Sequence, residues 1–218
     1  MPTEEHHGRI ERVVEHDAET RSLLLHVPGG IAFTPGQFLS CLLPVGGERL
    51  IRPYSIASAP ETPAHLELLL NRVPGGPGSG FLFSLQAGDR LDFTGPWGTF
   101  TLEHCPDAET VFVAERTAIA PIRPMLHRAA RTARHPLRLL YGTELPIYRD
   151  ELGALAAVDV DLVPPDMLEA EVHRRFIESD GDRSRHFYVC GVGELVRRLR
   201  RALRDAGYAR QAVQYERW

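Results

Sequence analysis

The segment Arg52–Ser58, with the sequence R-P-Y-S-I-A-S, places a cation, an aromatic ring and a hydroxyl close together in a run that has the character of a β-strand. Alternate side chains of a strand share a face, so we expect Arg52 and Tyr54 on one side, with Pro53 and Ser55 on the other. An arginine binds phosphate through paired hydrogen bonds, and a tyrosine ring packs on planar ligands. The segment is therefore either a ligand-binding strand or a plain strand with a surface arginine and a half-buried tyrosine.

Further short strands are predicted on both sides of this segment, separated by glycine, proline and aspartate. With the opening segment they cover residues 9–14, 21–27, 37–43, 50–57, 65–73 and 90–94. Short strands at this spacing are typical of an antiparallel barrel or a sandwich. One helix is predicted at 79–85, opened by the glycine-rich run P-G-G-P-G-S-G. That run is either an anion site at a helix N-terminus or a flexible connection.

The pattern changes at the polar segment 103–109, E-H-C-P-D-A-E, after which strands and helices alternate. Strands are predicted at 111–114, 137–141, 158–163, 186–190 and 212–215, and helices at 119–132, 147–155, 167–178 and 194–206. This alternation predicts a parallel, doubly wound sheet with helices on both faces, which binds ligands at the carboxyl ends of its strands. We place the domains at 1–104 and 105–218.

The composition of the 218 residues gives no support to some classes of partner. A net charge of −4 gives no electrostatic reason to expect nucleic acid or a membrane surface as partner. The chain contains no lysine, and its arginine-rich helix around 197–204 keeps an apolar stripe of Leu195, Leu199 and Leu203. We therefore interpret that helix as a solvated face rather than a nucleic-acid helix.

The N-terminal sequence bears on targeting, and the spacing of the cysteines bears on metal binding. No secretory signal is visible at the start, and no apolar run approaches the roughly 18 residues of a membrane span. The three cysteines, Cys41, Cys105 and Cys190, are widely spaced. This spacing excludes a cysteine-clustered iron–sulfur or zinc site in this chain and fits a reducing compartment. We expect a cytoplasmic protein without a metal.

A β-barrel that carries R-P-Y-S and precedes a βαβ domain resembles the ferredoxin–NADP reductase superfamily. The resemblance implies a six-stranded Greek-key barrel that holds FAD, in preference to FMN, followed by a Rossmann-like α/β/α domain. It implies that Arg52 contacts flavin phosphate, that Tyr54 packs on the isoalloxazine, and that Ser55 lies near flavin N5. Gly76 and Ser79 take the pyrophosphate positions of the second flavin motif, and Gly95–Gly98, G-P-W-G, is the turn that joins the two domains.

The second half resembles the nicotinamide-binding part of the same superfamily. Similar segments are V-F-V-A with T-A-I-A-P-I-R-P-M-L, L-L-Y-G, Y-V-C-G and the terminal E-R-W. The resemblance implies the catalytic residues Ser55, Cys190 and Glu216. It implies cofactor contacts from Arg52, Pro53, Tyr54, Ser55, Gly76, Gly78, Ser79, Thr117, Gly142, Cys190, Gly191 and Trp218.

One loop departs from the superfamily pattern. Glu115, Arg116 and Ala118 stand where glycine or small residues normally let the backbone approach the dinucleotide pyrophosphate. A side chain in a left-handed backbone costs on the order of 1 kcal/mol, and a carboxylate repels phosphate. We therefore expect weaker nicotinamide binding. Glu144, after L-L-Y-G, suits ribose hydroxyls and favours NADH over NADPH.

The resemblance implies an enzyme that passes reducing equivalents from NADH or NADPH through FAD to a separate protein. Ferredoxin, flavodoxin and an oxygenase component are all candidates for that acceptor. The alternative is an FAD-binding accessory or electron-relay subunit whose nicotinamide site has degenerated, which the altered loop favours.

Overall fold

The computed structural model describes residues 4–179 and 181–218. The chain divides into two compact units, Met1–Thr101 and Leu102–Trp218, whereas the boundary expected from sequence follows residue 104. Residues 1–3, which belong to the segment searched for a secretory signal, lie outside the described residues.

The N-terminal unit is a closed antiparallel sheet. Its elements are β1 (Glu5–Glu15), β2 (Thr20–His26), β3 (Phe38–Val45), β4 (Glu48–Ser55), β5 (His65–Asn71), α1 (Pro77–Ser84) and β6 (Arg90–Trp97). The strand order is β4-β3-β6-β1-β2-β5, and an antiparallel bridge between Ile56 and Leu68 joins the two ends. The structure is therefore the barrel of the two architectures that the pattern allowed.

The barrel core follows the two-residue period of its strands. In β3 the core residues are Leu39, Cys41 and Leu43, and β5 contributes Leu66, Leu68 and Leu70 in the same way. Leu82 and Phe83 of α1 join this cluster. Because successive strand side chains point to opposite faces, this alternation places one face of each strand in the core and leaves the other for solvent or ligands.

The C-terminal unit contains a parallel five-stranded sheet. Its elements are β7 (Thr110–Glu115), α2 (Ile119–Thr132), β8 (Leu137–Gly142), α3 (Arg149–Gly153), β9 (Val158–Val163), α4 (Leu168–His173), β10 (His186–Gly191), α5 (Glu194–Asp205) and β11 (Val213–Arg217). The strand order is β11-β10-β7-β8-β9, so β8 and β9 are added on one side of β7, and β10 and β11 on its other side. The order of placement therefore reverses between β7 and β10. Ligands of such sheets bind at the carboxyl ends of the strands beside this reversal.

Helices cover both faces of the sheet, as predicted. Val111, Val113 and Leu140 share a cluster with residues of α4 and α5, including Val172 and Leu199. Phe112 and Ala114 alternate with Val111 and Val113, so they point to the opposite face, and α2 contacts β7, β8 and β10. The sheet is therefore buried on both sides.

Two predicted helices differ in extent. The helix expected at 147–155 is reduced to Arg149–Gly153, because Tyr148 before it has a left-handed backbone, φ 64°. The helix expected at 167–178 contains α4 and then a π-helical turn, Arg174–Glu178. Among the described helices, none is both long and apolar enough to span a membrane.

Candidate functional site

In the N-terminal unit, Arg52 lies against the start of α1. A Cβ added to Gly78, the second residue of that helix, would stand 3.2 Å from Arg52 Cγ and 3.3 Å from side chains of Leu43 and Leu50. The absence of a side chain at Gly78 therefore lets the stem of Arg52 cross the helix N-terminus. Helix α1 has no acidic residue in its first turn.

This arrangement can bind an anion. The first N–H groups of a helix have no acceptor within the helix, and the helix dipole favours negative charge at this end. The Arg52 guanidinium is exposed and donates to the carbonyl of its neighbour Ile51 at 2.8 Å. Within residues 4–179 and 181–218, no carboxylate forms an ion pair with Arg52. A cation without an internal counter-ion thus adjoins a helix N-terminus, which fits the phosphates of FAD.

The hydroxyl of Ser79 shapes this loop from within. Ser79 Oγ accepts the Val73 N–H at 3.0 Å and donates to the carbonyl of Gly76 at 3.2 Å or to that of Val73 at 3.3 Å. A Cβ at Gly76 would be 2.9 Å from Val73 Cβ, so the turn has no room for a side chain. Ser79 and Gly76 therefore hold the loop that presents the helix N-terminus, and an anion meets backbone N–H groups there.

Tyr54 and Ser55 continue strand β4 beyond Arg52. Tyr54 is half-buried and packs on the barrel core, while Ser55 is buried and stands opposite Phe38 in the β3–β4 register. Burial, with a smaller influence from Cys41, raises the pKa of Tyr54 to about 12, although Arg52 acts to lower it. The phenol therefore stays neutral at physiological pH, as suits a ring that packs on a flavin. Pro53, between Arg52 and Tyr54, is exposed and carries no N–H.

In the C-terminal unit, several predicted residues meet at the carboxyl edge of the sheet. Cys190 stands beside Ala114 on one side and Glu216 on the other, and Gly191 stands beside Arg217. The N–H of Trp218 donates to the carbonyl of Gly191 at 3.1 Å. These contacts place the backbone of Trp218 beside the end of β10, on the side away from β7.

Cys190 and Glu216 differ in accessibility. Only 1% of Cys190 is exposed. Burial first, and then the carboxylates of Glu216 and Glu115, raise the pKa of the Cys190 thiol well above its usual range. Glu216 accepts a hydrogen bond from the Trp218 indole at 3.3 Å. This edge therefore offers a neutral thiol and a carboxylate together, and the third predicted catalytic residue, Ser55, belongs to the other unit.

The loop after β7 carries side chains at positions where we expected glycine or small residues. Arg116 adopts φ 51°, a left-handed conformation that glycine tolerates best. The Glu115 carboxylate accepts the N–H of Val192 at 2.9 Å and lies 3.1 Å from where a Cβ of Gly191 would stand. Thr117 is buried in the 3₁₀ turn Arg116–Ala118 that leads into α2. The positive φ expected for this loop is thus present, and a carboxylate spans the carboxyl ends of β7 and β10.

The loop after β8 is ordered by Thr143 and presents Glu144. Thr143 Oγ1 accepts the N–H of Leu145 at 3.0 Å and lies 2.8 Å from its carbonyl oxygen. Glu144 forms an ion pair with Arg116, with Oε1 3.1 Å from Nη2 and Oε2 3.3 Å from Nε. At Gly142, an added Cβ would be 2.7 Å from Leu168 Cδ2, so packing against α4 requires the glycine.

Sequence reasoning missed the Arg116–Glu144 pair. The two residues are 28 positions apart, so no local pattern joins them. The register that aligns Glu115 with Gly142 brings the following loops together. A sequence signal existed in the predicted adjacency of the first two strands of a doubly wound sheet.

The described part of the chain holds no group of three or more histidine, cysteine, aspartate or glutamate residues that could bind a metal ion. The three cysteines are free thiols.

Comparison with known proteins gives relatives over most of the chain. The family described as oxidoreductase FAD-binding domain matches residues 9–102. Ferredoxin–NADP reductase B of Sorangium cellulosum is 34% identical over 208 residues, which cover 85% of this chain and 85% of that protein. The reductase subunit of an aromatic O-demethylase from Amycolatopsis is 35% identical over 157 residues, covering 69% of this chain and 44% of that protein.

A solved structure has the same fold along nearly the whole chain. It is a ferredoxin NADP⁺ reductase from Neisseria gonorrhoeae with bound FAD and NADP, and its TM-score is 0.83 at 22% identity. The match covers 98% of both chains.

Proposed function

Because this chain belongs to the ferredoxin–NADP reductase superfamily, we propose that it is a flavin-dependent oxidoreductase that passes reducing equivalents from NADH or NADPH to a separate acceptor protein. FAD is its resident cofactor. The observation that carries this proposal is the placement of Arg52 across Gly78 at the N-terminus of α1, with no carboxylate of the described residues paired to it.

The work of the N-terminal unit is to hold and orient the flavin. FAD, when bound, accepts a hydride and releases electrons one at a time. Arg52 and the backbone N–H groups of α1 supply positive charge for its phosphates. Tyr54 offers a neutral half-buried ring on which a planar ring system packs, and Ser55 supplies a buried hydroxyl beside it.

The work of the C-terminal unit is to position the nicotinamide nucleotide at the carboxyl edge of its sheet. The Cys190 thiol is neutral, so it adds no negative charge where a hydride leaves. Trp218 is 40% exposed and its backbone is bonded to the end of β10, so its indole is open to stacking on a ligand ring and to displacement by another ring. Glu216 holds that indole through a hydrogen bond. Alignment of two rings is a large part of what a protein contributes to hydride transfer.

The experiment that tests this proposal follows the flavin band. The purified protein is saturated with FAD and its visible spectrum is recorded, and NADH or NADPH is then added without oxygen. Rapid bleaching is the expected result. A protein that takes up no FAD would overturn the proposal.

A second candidate function is a flavin-binding relay subunit that does not use nicotinamide. The observation that favours it is the Glu115 carboxylate, which accepts the Val192 N–H where a dinucleotide pyrophosphate approaches the backbone in this fold. A protein that binds FAD but whose flavin band is not bleached by NADH or by NADPH would support this candidate and exclude the first.

The partner and compartment complete the proposal. We propose ferredoxin, flavodoxin or an oxygenase component as the acceptor, since relatives include the reductase components of a propane 2-monooxygenase and a glycine betaine monooxygenase. These two relatives are longer than the chain, which covers 42% and 61% of them. A cytoplasmic location is supported by the three free thiols.

A further inference from the structure

The Arg116–Glu144 ion pair joins the ends of two neighbouring strands. Both guanidinium–carboxylate contacts are present, at 3.1 and 3.3 Å. Both side chains remain open to solvent, with 58% of Arg116 and 67% of Glu144 exposed. The pair therefore lies on the surface of the carboxyl edge, where a ligand can reach either partner.

The two partners are the two groups that distinguish nicotinamide nucleotides in doubly wound folds. There an acidic residue accepts the adenosine ribose hydroxyls of NAD, whereas a nearby arginine binds the 2′-phosphate of NADP. Here the acid and the arginine occupy adjacent loops and bind each other. Resting on the proposed reductase function, we propose that Arg116 is the ligand for the 2′-phosphate of NADPH and that the Glu144 carboxylate occupies its place until the nucleotide binds.

The backbone of Arg116 supports a ligand role. The residue keeps φ 51° between Glu115, which is tied to the Val192 N–H, and the buried Thr117. Strained conformations of non-glycine residues persist where the surrounding structure fixes them, and they are concentrated at binding sites. In this conformation the guanidinium reaches Glu144 in the β8 loop.

The charges make the exchange feasible. Hydrogen bonds from Arg116 lower the pKa of Glu144, and those bonds raise the pKa of Arg116, so both groups are charged at neutral pH. Exposed ion pairs contribute little net stability. A phosphate monoester carries more charge than a carboxylate and forms the same paired hydrogen bonds with a guanidinium, so it competes well for Arg116.

The consequence is that the chain accepts both nucleotides. With NADPH the phosphate takes Arg116 from Glu144, and with NADH the carboxylate accepts ribose hydroxyls. The preference for NADH that Glu144 alone suggested is therefore replaced by dual use, in which the balance depends on this pair.

The test compares binding of adenosine 2′,5′-bisphosphate with binding of 5′-AMP by calorimetry, on the FAD-loaded protein and its variants. Arg116→Gln should shift the ratio of dissociation constants about tenfold or more toward 5′-AMP, since a hydrogen bond between charged groups is lost. Glu144→Gln should shift it toward the bisphosphate, because Arg116 loses its competitor. Arg138→Gln is the control, since Arg138 pairs with Glu109 and Asp159 near the opposite end of β8, and it should leave the ratio unchanged.

Binding of both nucleotides with a ratio that stays within about twofold in Arg116→Gln and Glu144→Gln would overturn this inference and leave the reductase proposal standing. Failure of the wild type and all variants to bind either nucleotide, with FAD retained, would overturn both. Arg116→Lys adds a further check, since it keeps the charge without the planar fork and should recover only part of the discrimination.

Discussion

The loops that we propose to bind phosphate are built in opposite ways in the two units. In the N-terminal unit Gly78 has no side chain, and the Arg52 stem passes within 3.2 Å of where one would be. In the C-terminal unit the corresponding loop carries Glu115 and Arg116, whose charges are already engaged with Val192 and Glu144. Among the described residues no carboxylate pairs with Arg52, whereas Arg116 is already paired with Glu144.

This difference matches the residence of the two ligands. We expect a cofactor that stays bound to have a higher affinity for an arginine that pairs with no carboxylate of the described residues. We expect a substrate that leaves in every turnover to be released more readily from a site in which Glu144 can replace the departing phosphate on Arg116.

The largest effect is expected from neutralising the open cation. Arg52→Gln should weaken FAD binding about 10- to 100-fold, because a charge-assisted hydrogen bond to phosphate is lost. Flavin release measured by fluorescence checks this. Arg49→Gln is the control, since Arg49 lies on the same strand but pairs with Glu5 at 2.5 Å. Equal losses in the two variants would contradict the assignment of Arg52.

Acid should loosen the C-terminal unit through Glu151. Burial acts to raise the pKa of Glu151, but hydrogen bonds from His127 and Arg123 outweigh it and bring the pKa to about 2, from 4.5. The folded-state pKa is lowered, so the stabilisation is complete above pH 4.5 and is lost as the pH falls toward 2. With solvent screening we expect a loss of about 1 to 2 kcal/mol, and Glu151→Gln should remove this pH dependence.

The two tryptophans make this measurable unit by unit. Trp97 belongs to the N-terminal unit and Trp218 to the C-terminal one. Fluorescence of Trp97→Phe and Trp218→Phe variants during acid titration should show the C-terminal unit responding first. An earlier change at Trp97 would contradict the account.

Filling the space at Gly78 should displace Arg52. Gly78→Val is expected to weaken FAD binding about tenfold, since the new side chain collides with the stem of Arg52. Gly80→Val makes the same change of helix propensity within α1, and a Cβ there meets nothing within 4 Å. The difference in FAD affinity between the two variants isolates the steric effect, and its absence would show that Arg52 does not depend on Gly78.

The smallest effect concerns backbone strain at Arg116. Arg116→Gly and Arg116→Ala both remove the pair with Glu144, but only glycine relieves φ 51°. Urea unfolding should therefore find the glycine variant about 1 kcal/mol more stable than the alanine variant. Equal stabilities would mean that this conformation is relaxed in solution.

The elements were largely predictable because their signals are local. The alternation of Leu39, Cys41 and Leu43 is visible in the sequence and reappears as the inward face of β3. The end of a helix was less predictable where it depends on one backbone angle, as at Tyr148. For the site, the glycine-rich loop and R-P-Y-S indicated the candidate cofactor-binding residues. They did not indicate that the Ser79 hydroxyl is hydrogen-bonded to the backbone of its own loop. Pairings such as Arg116–Glu144 depend on strand register, which no short pattern encodes.

The barrel closes at the bridge between Ile56 and Leu68, immediately after the strand that carries Arg52, Tyr54 and Ser55. The adjoining hydrogen bond, from the N–H of Ala57 to the carbonyl of Glu67, is 2.8 Å long. The proposed flavin-binding residues and the bridge that closes the barrel therefore lie on one continuous segment, residues 52–57. We therefore expect hydrogen exchange of the Ala57 amide to report whether flavin is bound. Its exchange with deuterated solvent should be faster in the apoprotein and slower in the flavin-bound protein.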